Sequence, residues 1–310
     1  MTLSAPSQTI DPHVQTILNP VFYADIFDYP LTAAEIHRFL QTRAVPAQVA
    51  NWLAQAVAQN HLAEINGYYC LPHKPHLPDL RHARQQMAQT LWPHAESYGR
   101  KIAALPFVRM VAVTGALAVN NPTRANDDID YLIVTQPGRL WLCRTLVILL
   151  VRAGRLRGVN LCPNYLITEN ALTFEQNLFT AREVLQMRLL FGPALYRRIR
   201  QKNEWVTTYF PQGDGLSTAP PPVQLSRGVA QAKRITEKLL GGPPGNWLER
   251  RLQRRQIAKH TRLAAESGSP DTTIFTPDVC KGHYNGHGRR TLDAFERRVQ
   301  RTGPIRRSQV

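Results

Sequence analysis

Apolar residues recur with two different periods along this chain, and the switches between them divide it into segments. From Val14 to Phe27 the positions Ile17, Leu18, Val21, Phe22, Ala24, Ile26 and Phe27 follow helical spacing, and Asp28-Tyr29-Pro30 ends the run. Thr32, with Glu35 three residues on, predicts a capped second helix through Gln41. Pro46 opens a third, with Val49, Trp52, Leu53, Ala56 and Val57 on one face. Two short β-like runs, Leu62 to Ile65 and Tyr68 to Leu71, then flank Asn66-Gly67, the strongest short-range hairpin signal. Leu77 to Leu105 reads as a long helical connector, with Arg100 and Lys101 near its end on a solvated face.

At Val108 the period shortens. Val108 to Thr114 alternates and is rich in β-branched residues, which predicts a buried strand. Gly115 breaks it, Ala116 to Val119 begins a short helical turn, and a polar loop spans Asn120 to Asn126. Asp128-Ile129-Asp130 then opens a second apolar strand, Tyr131 to Thr135. After a turn at Gln136-Pro137-Gly138, Arg139 to Ala153 is a helix with an apolar flank, and Leu161 to Thr168 is a third strand. A lone cation inside that helix, Arg144, needs a partner, with an aspartate of the Asp128–Asp130 pair and open solvent as the two alternatives. Thr180 to Leu190 predicts a helix with Thr180 as N-cap and Glu183 closing the box. Further helices are expected over Tyr196 to Lys202, Val229 to Leu240, Trp247 to Leu263 and Arg289 to Arg298, with a Gly, Pro and Ser-rich linker over Gln212 to Pro222.

The chemistry concentrates where the two central strands meet. A period of two puts Asp128 and Asp130 on one face of their strand, where two carboxylates repel. A divalent cation reverses that balance, because Mg²⁺ is held by one or two carboxylates together with substrate phosphates. Strand, Gly-small turn, helix and an Asp-x-Asp strand, here Gly115-Ala116 followed by Asp128-Ile129-Asp130, resembles the nucleotidyltransferase superfamily. The resemblance implies an α/β core with Asp128 and Asp130 as catalytic metal ligands for Mg²⁺ or Mn²⁺, and Gly115 and Ala116 as the nucleotide-binding turn. An NTP such as ATP would be the substrate, its nucleotidyl group moving to an acceptor that is a protein, an RNA or a small molecule. Ala116 stands where that family has Ser or Gly, and its third carboxylate is not evident: Tyr131 to Thr168 contains no Asp or Glu. Asn164 falls at the expected place, which leaves Asp127 and Glu169 as candidate accessory acids. The alternative is a nucleotidyltransferase-fold protein that has lost its chemistry and binds a nucleotide or nucleic acid.

Three helices and a hairpin in this order describe a winged-helix-like module, and Tyr23 to Thr32 (YADIFDYPLT) resembles the N-terminal module of uncharacterised bacterial nucleotidyltransferase-domain proteins. The third helix carries no Lys or Arg, so packing or partner recognition is favoured over reading of DNA. The expected fold class is α/β (α+β). Its parts are an unstructured lead-in (1–12), the winged-helix-like module (13–75), the connector (76–105), the nucleotidyltransferase core (106–175) and a basic C-terminal helical region (176–310).

Composition adds bounds. A length of 310 residues accommodates two or three cores. The net charge of +16 is concentrated after residue 196, where 22 Lys+Arg face 9 Asp+Glu, and favours an anionic partner such as nucleic acid. Trp247 to Leu263 holds six of those cations, without a clearly drawn stripe. Four widely spaced cysteines read as free thiols of a reducing compartment. The longest apolar run, Thr145 to Val151, is far short of the ~20 residues of a membrane span. A cytoplasmic protein without a membrane partner is expected. Cys280, His283 and His287 have zinc-like spacing but no identifiable fourth ligand.

Overall fold

A computed structural model describes residues 11–213, 222–266, 273–282 and 286–301. They form a mixed α/β protein with a three-stranded and a six-stranded sheet. The chain divides into two compact units, one holding the described parts of Met1–His82, Trp205–Leu216 and Gly288–Val310, the other those of Ala83–Glu204 and Ser217–His287. Helix α4 (Leu77–Ala104) contributes residues to both.

In the first unit, α1 (Pro12–Asp25) begins two residues ahead of the expected start. Asp11 caps it by accepting from the His13 amide at 2.7 Å, and Pro12 fits the first turn, where no amide is needed. Thr32 follows the short strand β1 (Leu31–Thr32) into α2 (Ala33–Arg38), with the predicted reciprocal cap to Glu35. Glu35 also takes a two-pronged contact from Arg81 at 2.7 and 2.8 Å. Burial pushes the Glu35 carboxyl up, and Arg81 and Thr32 together hold it below the usual carboxylate range. Helix α3 (Pro46–Ala58) buries Val49, Leu53 and Ala56. Strands β2 (Ala63–Ile65) and β3 (Tyr68–Cys70) are joined by Asn66 and Gly67, both at positive φ as a tight hairpin turn requires. The sheet order is β1-β3-β2, all antiparallel.

The second unit holds β4 (Val108–Thr114), α5 (Gly115–Ala118), β5 (Ile129–Thr135), α6 (Leu140–Arg155) and β6 (Leu161–Thr168), close to the predicted bounds. Next come α7 (Leu178–Gln186), β7 (Arg188–Phe191) and α8 (Pro193–Lys202). The short α9 (Val206–Tyr209) belongs to the first unit. Helices α10 (Arg227–Leu240) and α11 (Pro243–Glu266) and strands β8 (Thr273–Phe275) and β9 (Val279–Gly282) follow in the second. The final helix α12 (His287–Gln300) returns to the first unit after its opening residue, and there Arg298 bonds Asp25 at 2.9 Å.

The six strands run in the order β7-β4-β5-β6-β9-β8. β4 and β5 are antiparallel, and β5 and β6 are parallel, joined through α6. Trp141, Phe107, Tyr131, Ile133, Val111 and Leu166 fill the core beside the sheet. Glu249 of α11 lies buried at the start of α6 and accepts the Trp141 and Leu142 amides at 2.9 and 2.7 Å. A carboxylate from another helix thus satisfies two amides that have no partner within α6. The partner of Arg144 is Gln256 of α11, at 2.6 Å, and not an aspartate of the Asp128–Asp130 pair.

Two expectations are corrected. The helix predicted over Thr180 to Leu190 begins one turn earlier and ends sooner. Asn177, in extended conformation, accepts the Thr180 amide at 2.8 Å and is the true N-cap. Asn is among the strongest capping residues, ahead of Thr. After Gln186 the chain switches to β7, since the open edge of β4 offers Arg188 to Phe191 antiparallel pairing, with one register shift. Gly192 at φ 81 ends that strand where a Cβ would strike the Arg109 carbonyl. The basic C-terminal part is therefore not only helical: β7, β8 and β9 complete the sheet.

Candidate functional site

Cross-strand register builds the site. Thr114 faces Asp130 across the β4–β5 pair, so Gly115, the next residue, lies against that aspartate. Gly115 adopts φ 65, and a Cβ there would run into the Asp130 carboxylate. Two independent constraints thus demand glycine: a left-handed backbone and close approach of a charged side chain.

Asp130 is half-buried at the start of β5, and Asp128, one residue ahead of the strand, is exposed. Burial, with added repulsion from Asp128 and Asp127, raises the Asp130 carboxyl to about 7, even though the Cys162 thiol donates a hydrogen bond to it. Cys162 is the residue beside Asp130 in the parallel β5–β6 register. Its own thiol is pushed up by burial and by the facing carboxylate.

Asp127 is occupied by its own loop. One oxygen accepts the Thr123 amide at 2.6 Å and the Thr123 hydroxyl at 3.2 Å, and the other accepts the Asp128 amide at 3.2 Å. Asn160 anchors the same loop through the Asn126 carbonyl at 2.9 Å. These bonds aim Asp128 without drawing on its own side chain.

Glu169 falls elsewhere. It follows the far end of β6, where its amide bonds Thr135 and its carboxylate lies 3.9 Å from Arg109. Asp130 and Thr135 are five residues apart along β5, so about 17 Å of strand separates that end from the aspartates. Asn164 lies in the irregular stretch where the β5–β6 register shifts, between the Asp130 and Leu132 pairings. Ala116 is the second residue of α5, and its carbonyl accepts the Val119 and Asn121 amides. Lys101 lies with its ammonium 4.3 Å from the Tyr98 ring centre, on an exposed stretch of α4.

Sequence reasoning missed Glu183. Because α7 starts at Asn177, Glu183 is not a capping residue but lies in the helix interior between the buried Arg182 and Val184. It takes a hydrogen bond from the Gly115 amide and senses the Asp130 charge. Burial first, then Asp130, raises its carboxyl to about 7 against the pull of that amide, Arg182 and Lys281. Lys281 reaches this side from β9, where it pairs with Tyr165. The sequence signal was present in Asn177-x-x-Thr180, a cap placed one turn upstream.

Asp130, Glu183, the Gly115 amide and the Cys162 thiol thus come together from β5, α7, α5 and β6, with Asp128 two residues ahead of Asp130 in the loop before β5. Asp128 and Asp130 offer hard oxygen donors, a pair that suits a divalent cation completed by ligand phosphates. No group of three or more His, Cys, Asp or Glu able to hold a metal by itself is present among the described residues. Of the zinc-like trio, Cys280 is buried on β9 and His287 opens α12 against Phe179, while His283 lies outside the described residues. All four cysteines are free thiols, with Cys162 the least buried. Among the described residues no helix is long and apolar enough to cross a membrane. Comparison with protein-family models, curated proteins and solved structures finds no match to this chain.

Proposed function

We propose that the second unit is a metal-dependent nucleotidyltransferase, with the first unit a winged-helix-like module that serves packing or partner recognition. The observation that carries this reading is the Gly115–Asp130 contact. Only glycine fits the left-handed backbone and the close approach at this position, and the aspartate it faces is held where burial disfavours its charge. An ordinary fold would replace Asp130 by a neutral residue.

In this reading Asp128 and Asp130 hold Mg²⁺ or Mn²⁺ together with the phosphates of an NTP. The ion, when bound, supplies positive charge that offsets charge developing on the leaving pyrophosphate. The remaining work belongs to the chain. The Gly115 and Ala116 amides at the β4–α5 turn receive phosphate oxygens. Asp127, bonded within its loop, fixes the direction of Asp128. Glu183 replaces Asp127 and Glu169 as the accessory acid: it accepts the proton of the acceptor hydroxyl as that oxygen bonds to the α-phosphorus and the bond to pyrophosphate breaks. A carboxylate that titrates near neutrality is suited to this transfer.

The second reading, a nucleotide-binding protein without transfer activity, is favoured by one feature. The Glu183 carboxylate occupies the Gly115 amide that a phosphate would use, and Ala116 brings no hydroxyl. Calorimetric titration of each NTP with Mg²⁺ into the full chain decides between them. Metal-dependent binding that disappears in Asp128→Asn/Asp130→Asn is expected. Binding that survives the double substitution selects the second reading, and no binding of any NTP removes both.

A further inference from the structure

The exposed half of α11 is a second feature that no fold requires. Arg250, Arg251, Arg254, Arg255, Lys259 and Arg262 are all exposed, and at 100° per residue they share one half of the helix. The opposite half carries the buried Gly245, Glu249 and Ala264, with Leu252 and Ile257 packed on the core, and Leu248, also packed on the core, precedes the first cation. The cations therefore form one continuous face, which the linear sequence obscured. Charged surface helices ordinarily alternate sign so that residues four apart attract. Here 250 and 254, 251 and 255, and 255 and 259 are like-charged pairs that repel. Glu249, the single acid between Pro243 and Lys259, is turned inward onto α6. Among the described residues only Arg262 of the six has an ion-pair partner, Glu266 at 3.7 Å.

We propose that this face binds the phosphate backbone of a nucleic acid, with a preference for single strands. The face spans Arg250 to Arg262, about 18 Å of helix, which is longer than any one small anion and suits a row of phosphates. Trp247, 56% exposed one turn before the first cation, supplies a stacking platform for a base, and Arg251 already lies 5.4 Å from its ring centre. A membrane surface fits α11 less well, because a helix lying in a bilayer must insert its apolar face, and that of α11 is packed into the protein. The inference does not rest on the transferase reading, since it concerns binding by a different element.

The test is fluorescence anisotropy of the full chain with random-sequence single-stranded RNA, single-stranded DNA and duplex DNA over a series of salt concentrations. Binding should weaken linearly on log–log axes, with a slope of about −0.7 for each single-strand phosphate neutralised. In Arg250→Gln/Arg254→Gln/Lys259→Gln the slope should become shallower by about 2. Trp247→Ala should weaken single strands and leave the duplex unchanged. All four positions are exposed, so circular dichroism and the thermal midpoint should match the parent. Absence of binding at low salt, or binding and slope unchanged in the triple variant, overturns the proposal. So does capture by phosphatidylserine vesicles, lost in the triple variant, without nucleic-acid binding. That arm is needed because Ile235 and Leu239 of the neighbouring α10 are exposed and apolar.

Discussion

Two groups of charged side chains in the second unit make an instructive contrast. Around the start of β4, Lys233 of α10 is buried, yet its ammonium donates to the Ala103 and Val108 carbonyls, both at 2.6 Å. Glu237, one turn on, accepts the Phe107 amide and the Arg109 guanidinium, again at 2.6 Å each. Burial pushes Glu237 up, and Arg109 and the Phe107 amide outweigh it to hold the carboxyl below its ordinary value. Burial lowers Lys233 to about 8, with Glu237 opposing. Every charge there has an opposite charge or a dipole. Around Gly115 the pattern reverses: Asp130 and Glu183 are both raised to about 7, with Asp128 and Asp127 adding repulsion to Asp130. At Glu237 the partners outweigh burial, whereas at Asp130 and Glu183 burial and neighbouring carboxylates outweigh the Cys162 thiol, the Gly115 amide, Arg182 and Lys281. Carboxyls perturbed in that way mark a candidate site.

The largest effect should come from breaking the matched group. Glu237→Ala removes the carboxylate shared by the Phe107 amide, Arg109 and the buried Lys233, leaving Arg109 only the more distant Glu169, and should lower unfolding free energy in urea by roughly 3 kcal/mol. A loss well below 1 kcal/mol would remove the distinction between the two groups, since surface-type pairs contribute about that little.

Gly115→Ala should come next. The added methyl meets Asp130 at a left-handed backbone, and a cost of about 2 kcal/mol is expected from strain and close contact. NTP binding should be lost in the same variant. Retention of both stability and binding would show that the glycine is not shaping the site.

Asp130→Asn should act in the opposite sense. Removing an unmatched charge should stabilise the protein at neutral pH by about 1 kcal/mol while abolishing metal-dependent binding. A destabilised variant would mean that Asp130 is structural after all.

The most diagnostic effect is in pH dependence. A carboxyl raised in the folded state keeps its proton there to higher pH than in the unfolded chain. The stability it contributes is full below about 4, the unfolded value, and is lost as pH rises through about 7. The thermal midpoint of the parent should therefore fall from pH 5 to pH 7.5 relative to Asp130→Asn/Glu183→Gln. Parallel profiles would show that the two carboxyls are not perturbed.

Local signals account for most of the elements. The Asn66-Gly67 hairpin, the Thr32–Glu35 cap, the strand–glycine–strand order around Gly115 and the apolar flank of α6 all depend on residues within a few positions of each other. Period and capping chemistry operate at that range, so they are legible in one dimension. The sequence by itself therefore determined the strand that carries Asp130, with Asp128 just ahead of it, and the break that sets Gly115 against Asp130.

Tertiary structure decided what depends on partners distant along the chain. Residues 188–191 carry an ambiguous apolar pattern, and only the open edge of β4 made them a strand. Arg144 met Gln256 because α11 packs on α6. Glu183 joined Gly115 and Asp130 because α7 starts one turn earlier than its most capping-like residues suggest, which rotates the carboxylate from the helix end into the site. Likewise the cations of α11 became one face once Glu249, Leu252 and Ile257 had chosen the side that turns inward. Orientation about a helix axis is set by which side is buried, and burial is a property of the packed molecule, not of the local chain.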